Sequence, residues 1–234
     1  MAEDRSKALA ARKTSEVDAF LRQVAASPVA VGAASGRLIF ALDATASRQP
    51  TWDRACHIQA DMFATAASLG GLSIQLCYFR GFGEFQAVPW LMDGSTLVQR
   101  MTGVTCQAGR TQIARVLRHT IHETCAARVN AMVYVGDCME ESAESLLELG
   151  GQLGLLGVPA FLFQEGEDAV ARQVFEQLAK LSGGAYAQFN AASAKTLRDL
   201  LMAVAVYAAG GRRALADYAD RAGSEILRLT RQMR

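Results

Sequence analysis

The chain has 234 residues, enough for one generous α/β domain with attached helices and a squeeze for two full domains. Hydrophobic residues make up 51% and charged residues 20%, a globular balance that argues against long disorder. Lys and Arg total 24 against 23 for Asp and Glu, so the net charge of +1 gives no global attraction for nucleic acid or acidic lipid. Only the end is basic, since residues 210–234 carry six Arg against three acids.

The first residues, Met1 to Lys13, mix both charge signs and lack the apolar run of a secretory signal. The longest uncharged apolar run, Leu200 to Ala209, is half a membrane span. A soluble, cytoplasmic protein is the expectation. The cysteines at 56, 77, 106, 125 and 138 are odd in number and show no CxxC spacing, which suits a reducing compartment and buried small hydrophobes.

Along the chain, Val17, Phe20, Leu21 and Val24 stand at helical spacing before Pro28 and a run of small residues, which predicts a docking helix and a linker over residues 1–36. Arg37 to Asp43 is a continuous apolar run ending in a polar cluster, as expected of a central parallel strand. Pro50 opens a helix that ends at Gly70-Gly71, and Leu72 to Phe79 is the second strand. Gly81-Phe82-Gly83 turns into an edge strand over 85–90, which Pro89 confines to an edge. Helices are expected at 95–101, 111–127, 142–153 and 168–181, and strands at 131–135, 158–163 and 185–189. Two last helices cover about 193–209 and 212–233. This alternation predicts a doubly wound α/β fold, a mostly parallel sheet with helices on both faces. Such sheets bind ligands at the carboxyl ends of their strands, where strand order reverses.

The first strand runs straight into Asp43-Ala-Thr45-Ala-Ser47, one carboxylate and two hydroxyls on alternate residues. Oxygen-only donors suit a hard cation such as Mg²⁺, which keeps several waters and needs few protein ligands. A second carboxylate at another strand end would complete neutralisation. The competing reading of these residues is helix entry and loop capping, because short polar side chains satisfy orphan backbone donors. Thr111, just ahead of a helix, and Asp137, at the end of a strand, admit the same alternative.

Here the sequence resembles the von Willebrand factor A family. That family's metal-ion-dependent adhesion site uses an Asp-x-Ser-x-Ser strand end, a Thr from a later loop and an Asp after the fourth strand. Asp43-x-Thr45-x-Ser47, Gly109-Arg110-Thr111 and Val133 to Asp137 match these elements in order, and the likeness covers roughly residues 37–190. Thr45 stands in place of the usual first Ser, and Cys138 in place of a common Gly. The resemblance implies a Rossmann-like domain over 37–209, flanked by the N-terminal segment and a basic C-terminal helix over 210–234. It implies a site of Asp43, Thr45, Ser47, Thr111 and Asp137 holding Mg²⁺, or else Mn²⁺ or Ca²⁺. It further implies a bacterial-type binding module whose protein partner offers an Asp or Glu to the cation. Relatives in bacteria work beside ATPases or chaperones, which gives a direction for the partner. The terminal helices are candidates for a second contact or self-association.

Other chemistries fit the residues less well. His119 and His122 lie one helical turn apart with Cys125 nearby, but the order is not HExxH and no fourth zinc ligand is evident. A phosphohydrolase using Asp43 as nucleophile needs a second Asp two residues later, where Thr45 stands, so no enzyme is expected. No phosphate-binding glycine motif occurs. The basic last helix would be the contact for RNA or DNA, although a solvated face explains it more simply. Phe82, Phe85 and Trp90 read as core rather than as an exposed patch.

Overall fold

The computed structural model describes residues 19–27, 36–49, 72–190, 197–211 and 214–215. The helix expected between Pro50 and Gly71, the linker and most of the basic tail lie outside them. Six strands form one sheet: β1 (Gly36–Asp43), β2 (Leu72–Arg80), β3 (Glu84–Ala87), β4 (Ala131–Gly136), β5 (Ala160–Glu165) and β6 (Ala185–Phe189). Among the described residues, α-helices occupy α1 (19–26), α2 (Gly94–Thr102), α3 (Ile113–Ala126), α4 (Ala143–Leu155), α5 (Ala169–Ser182) and α6 (197–211).

The sheet order is β3-β2-β1-β4-β5-β6, and every pairing is parallel except that of β3 with β2. The chain therefore winds outward from β1 through β2 to β3, then returns to the other side of β1 and winds outward again. Strand order reverses between β1 and β4, which places the crevice of a doubly wound sheet there. Both strands are apolar at nearly every position because both of their faces are covered.

Residue parity assigns the two cores. Leu38, Phe40, Leu42, Val133, Val135, Phe161 and Phe163 face α1, α2 and α6. Ile39, Ala41, Met132, Tyr134 and Leu162 face α3, α4 and α5 through Val116, Leu117, Leu146, Leu153, Phe175 and Leu178. Phe20 of α1 packs 5.4 Å from Phe163 and 6.3 Å from Phe161, ring centre to ring centre, so the docking helix joins the core. Tyr207 of α6 meets Phe161 edge-on at 6.0 Å. Truncating an aromatic held this way costs about 3 to 5 kcal/mol.

Helix ends follow local chemistry. Asp93 caps α2 by accepting from Ser95 and Thr96, Ser142 caps α4, and Asp168 caps α5. Gly183 ends α5 in the left-handed region, at φ 74°.

Two strands depart from the sequence reading by more than one residue at an end. The edge strand is shorter, Glu84–Ala87, because Pro89 breaks the ladder before Leu91 rejoins Ile74 by two backbone bonds. The fifth strand is shifted to Ala160–Glu165, carrying Gln164 into the sheet. That amide is fully buried because its NH₂ donates to the Asp168 carbonyl at 2.8 Å and its oxygen accepts from the Tyr186 hydroxyl at 2.7 Å.

Candidate metal centre

Asp43 is the last residue of β1, and the register pairs the preceding Leu42 with Val135 of β4. Asp137 follows the end of β4 directly, so both acids stand at the carboxyl edge of adjoining strands, at the switch point. Asp43 is fully buried. Its Oδ1 accepts from the Thr45 backbone N–H at 2.8 Å, while its Oδ2 and the Oδ1 of Asp137 are buried without a hydrogen-bond partner among the described residues. Unmatched carboxylate oxygens are costly in a protein interior; the charge of the buried Arg48 guanidinium acts on both acids, and the two oxygens without partners stay available as donors to a further cation.

Thr45 and Ser47 sit on a short 3₁₀ turn, and their hydroxyl oxygens are 3.1 Å apart. Thr45 is buried and Ser47 exposed, so the hydroxyl pair runs from the crevice to its rim. This loop is pinned to its neighbours: Ala44 donates to the Phe79 carbonyl at 3.0 Å and accepts from the Gln107 N–H at 3.0 Å.

Thr111 is buried ahead of α3 but does not cap it; the cap position is Gln112, whose side chain makes no capping bond. The loop after Asp137 supplies the missing acceptors. Glu141 accepts from Ile113 N–H at 3.0 Å and Ala114 N–H at 2.7 Å, and Glu140 accepts from Thr111 N–H at 3.1 Å. In return the Thr111 hydroxyl oxygen accepts from the Glu140 N–H at 2.9 Å, leaving a second lone pair. Thr111 is thereby locked to the Asp137 loop. The same segment is packed on the β2–β3 turn, where a Cβ on Gly109 would lie 1.9 Å from the Gly81 carbonyl oxygen.

The electrostatics agree with the geometry. Burial raises the Asp43 carboxyl from 3.8 to about 6, against the lowering effect of the Thr45 hydroxyl and N–H. The Asp137 charge raises it further and that of Arg48 lowers it. Among the described residues no three His, Cys, Asp or Glu side chains cluster as metal ligands. Carboxylate and hydroxyl oxygens such as those of Asp43, Thr45 and Ser47 are the donor type that hard divalent cations take.

Neither other candidate from the sequence gathers support. The His119 ring Nε2 lies 2.8 Å from Gln75 Oε1 and the ring packs against Phe85 at 5.5 Å, while His122 is exposed. Burial pushes the Cys138 thiol up to about 12, away from the thiolate that redox chemistry needs. Trp90 donates to Glu123 at 2.8 Å under the Arg37 guanidinium, so of the three aromatics Phe82 alone is largely exposed, at 83%. Sequence reasoning missed Arg48, Glu140 and Glu141. The acid pair between a strand and a helix was the visible signal for the last two.

An open α/β sheet with two acids and a hydroxyl pair at its switch point defines the class of the molecule. The chain matches no protein-family model and no curated protein. Solved structures do share its architecture. The SpRpn10 VWA domain is 11% identical, with a TM-score of 0.57 over 71% of this chain and 94% of its own. An aerotolerance-related membrane protein from Bacteroides fragilis is 13% identical, with a TM-score of 0.56 over 71% of this chain and 98% of its own. Proximal thread matrix protein 1 from the mussel byssus, with a zinc-occupied MIDAS motif, is 14% identical, with a TM-score of 0.55 over 74% of this chain and 45% of its own. The chain thus spans under half of that protein. It has the von Willebrand factor A fold.

Proposed function

We propose that the chain is a cation-dependent protein-binding module, in which a partner's Asp or Glu completes the coordination of a divalent ion held by Asp43, Thr45, Ser47, Thr111 and Asp137. One observation carries this reading: two buried carboxylate oxygens, Asp43 Oδ2 and Asp137 Oδ1, lack partners at adjoining strand ends beside a hydroxyl pair. The two acids supply charge, and the hydroxyls fix geometry without adding charge. A bound Mg²⁺ would supply a Lewis-acidic position for an acidic side chain of the partner.

The mussel protein's zinc-occupied MIDAS motif supports a divalent ion in a domain of this fold. Oxygen-only donors favour Mg²⁺ or Mn²⁺ over Zn²⁺ here. Binding rather than catalysis follows from the donor set, since Asp43 is followed two residues on by a Thr that cannot act as a general acid. Among the described residues no helix is long and apolar enough to cross a membrane. A cytoplasmic partner, an ATPase or chaperone among them, remains the direction to search.

The test uses purified protein titrated with Mn²⁺, then capture of partners in Mg²⁺ and in chelator. Binding of Mn²⁺ by the wild type, its loss in Asp43→Asn, and a partner retained only with Mg²⁺ support the module. A partner held equally in chelator and by Asp43→Asn overturns it.

A further inference from the structure

Arg48 closes the 3₁₀ turn that carries Thr45 and Ser47, and its side chain is wholly buried. It pairs with Glu165, the last residue of β5. Between β1, which Arg48 follows, and β5 lies β4. The ion pair therefore ties the turn after β1 to the end of β5, strands that lie on either side of β4. Asp137 leaves the sheet at the end of β4. The guanidinium is thus held at the carboxyl edge of the sheet, where the charges of Asp43 and Asp137 also act on it.

A buried guanidinium gives up its hydration at a cost that only surrounding carboxylates can offset. Here it faces Glu165 directly and two further acids that the fold brings to the same edge. A divalent ion entering between Asp43 and Asp137 meets that positive charge at close range, in a medium where charges are felt strongly.

Taking the cation site of the proposed function as given, we propose that Arg48 is its resident counter-ion. It neutralises the Asp43 and Asp137 loops when no metal is bound and opposes the metal when one enters, and Glu165 tempers that opposition. The pair Arg48–Glu165 therefore sets the metal affinity without contributing a ligand.

The test is Mn²⁺ titration of the purified full chain by electron paramagnetic resonance, at low salt and pH 7, with folding checked by circular dichroism. Arg48→Met should bind Mn²⁺ about tenfold more tightly than wild type, because the opposing charge is gone. Glu165→Gln should bind about tenfold more weakly, because the guanidinium loses the carboxylate that offsets it. Arg48→Lys, which keeps the charge, should stay near wild type. Should Arg48→Met fail to fold, Glu165→Gln against Arg48→Lys carries the comparison. A purely structural ion pair would change the melting temperature of these variants but leave their Mn²⁺ affinities equal, and that result overturns the inference. Asp43→Asn separates the two levels: if it abolishes Mn²⁺ binding while the Arg48 and Glu165 variants match wild type, the site stands and the counter-ion role falls. If Asp43→Asn binds as wild type does, both fall.

Discussion

Replacing Asp43 by Asn should stabilise the metal-free chain and abolish its response to metal. In chelator the Asp43 carboxyl titrates near 6 in the folded chain against 3.8 in the unfolded one, so the folded state binds this proton more tightly. The stability that the protonated form brings is complete below about 3.8 and is lost as pH rises through about 6. At neutral pH the ionised group therefore destabilises the fold by about 3 kcal/mol, the free-energy equivalent of raising this carboxyl from 3.8 to about 6. Asn carries no charge, and its side-chain oxygen can still accept from the Thr45 N–H that Asp43 Oδ1 engages. The difference between the two proteins isolates this one group from the other carboxylates.

The assay is thermal unfolding followed by circular dichroism across pH 4 to 8, in chelator and again in excess Mg²⁺. In chelator at pH 7.5, Asp43→Asn should melt about 6 to 12 °C above wild type, for a chain of this size. The gap should close toward pH 4. In Mg²⁺ the order should narrow or invert, because wild type gains about 2.7 kcal/mol at a hundredfold excess over Kd and the variant gains little. A variant that melts far below wild type in chelator would show Asp43 to be a structural cap. An undiminished Mg²⁺ response would remove it from the site.

Glu141→Ala strips the acceptor from two N–H groups at the start of α3 and should cost about 1 to 2 kcal/mol, read from chemical denaturation. It should also weaken Mn²⁺ binding several-fold by loosening Thr111, whereas a change in stability at constant Mn²⁺ affinity would confine Glu141 to capping. Gly109→Ala forces a Cβ against the Gly81 carbonyl and should cost about 2 kcal/mol or more, with loss of the Mg²⁺-induced rise in melting temperature. A variant with wild-type melting in both conditions would show that the contact is easily relaxed. Purified protein with Mg²⁺ should hydrolyse no phosphate ester above background, and turnover that disappears in Asp43→Asn would reverse the choice of a binding module over an enzyme.

The sheet was legible because its central strands are apolar on both faces, so Leu38 to Leu42 and Ala131 to Val135 read as strands without tertiary knowledge. The Asp43-x-Thr45-x-Ser47 run was legible for a local reason too, since alternate residues after a strand share one edge. The polar end of β5 was not. Gln164 and Glu165 look like the start of a loop, and they stay in the sheet because Tyr186, Asp168 and Arg48, all from other segments, receive them. A one-dimensional pattern sees a polar residue and cannot see that its hydrogen bonds are met.

The same distinction divides the site itself. Asp137 comes beside Asp43 only through strand order, and Thr111 is tied to the loop after Asp137 by a reciprocal bond with Glu140 that neither segment announces alone. Glu140 and Glu141 precede α4 in the chain, where acids ordinarily favour the N-terminus of the helix that follows. Ser142 already fills that role, which frees both acids to serve α3 instead. Arg48 is the extreme case. Beside an exposed Ser47 it reads as a solvated charge, yet it is buried because an acid at the end of β5 and two more at the switch point await it. The run from Asp43 to Ser47 is thus written locally, while the charges set around it, those of Asp137, Arg48 and Glu165, are written in the topology.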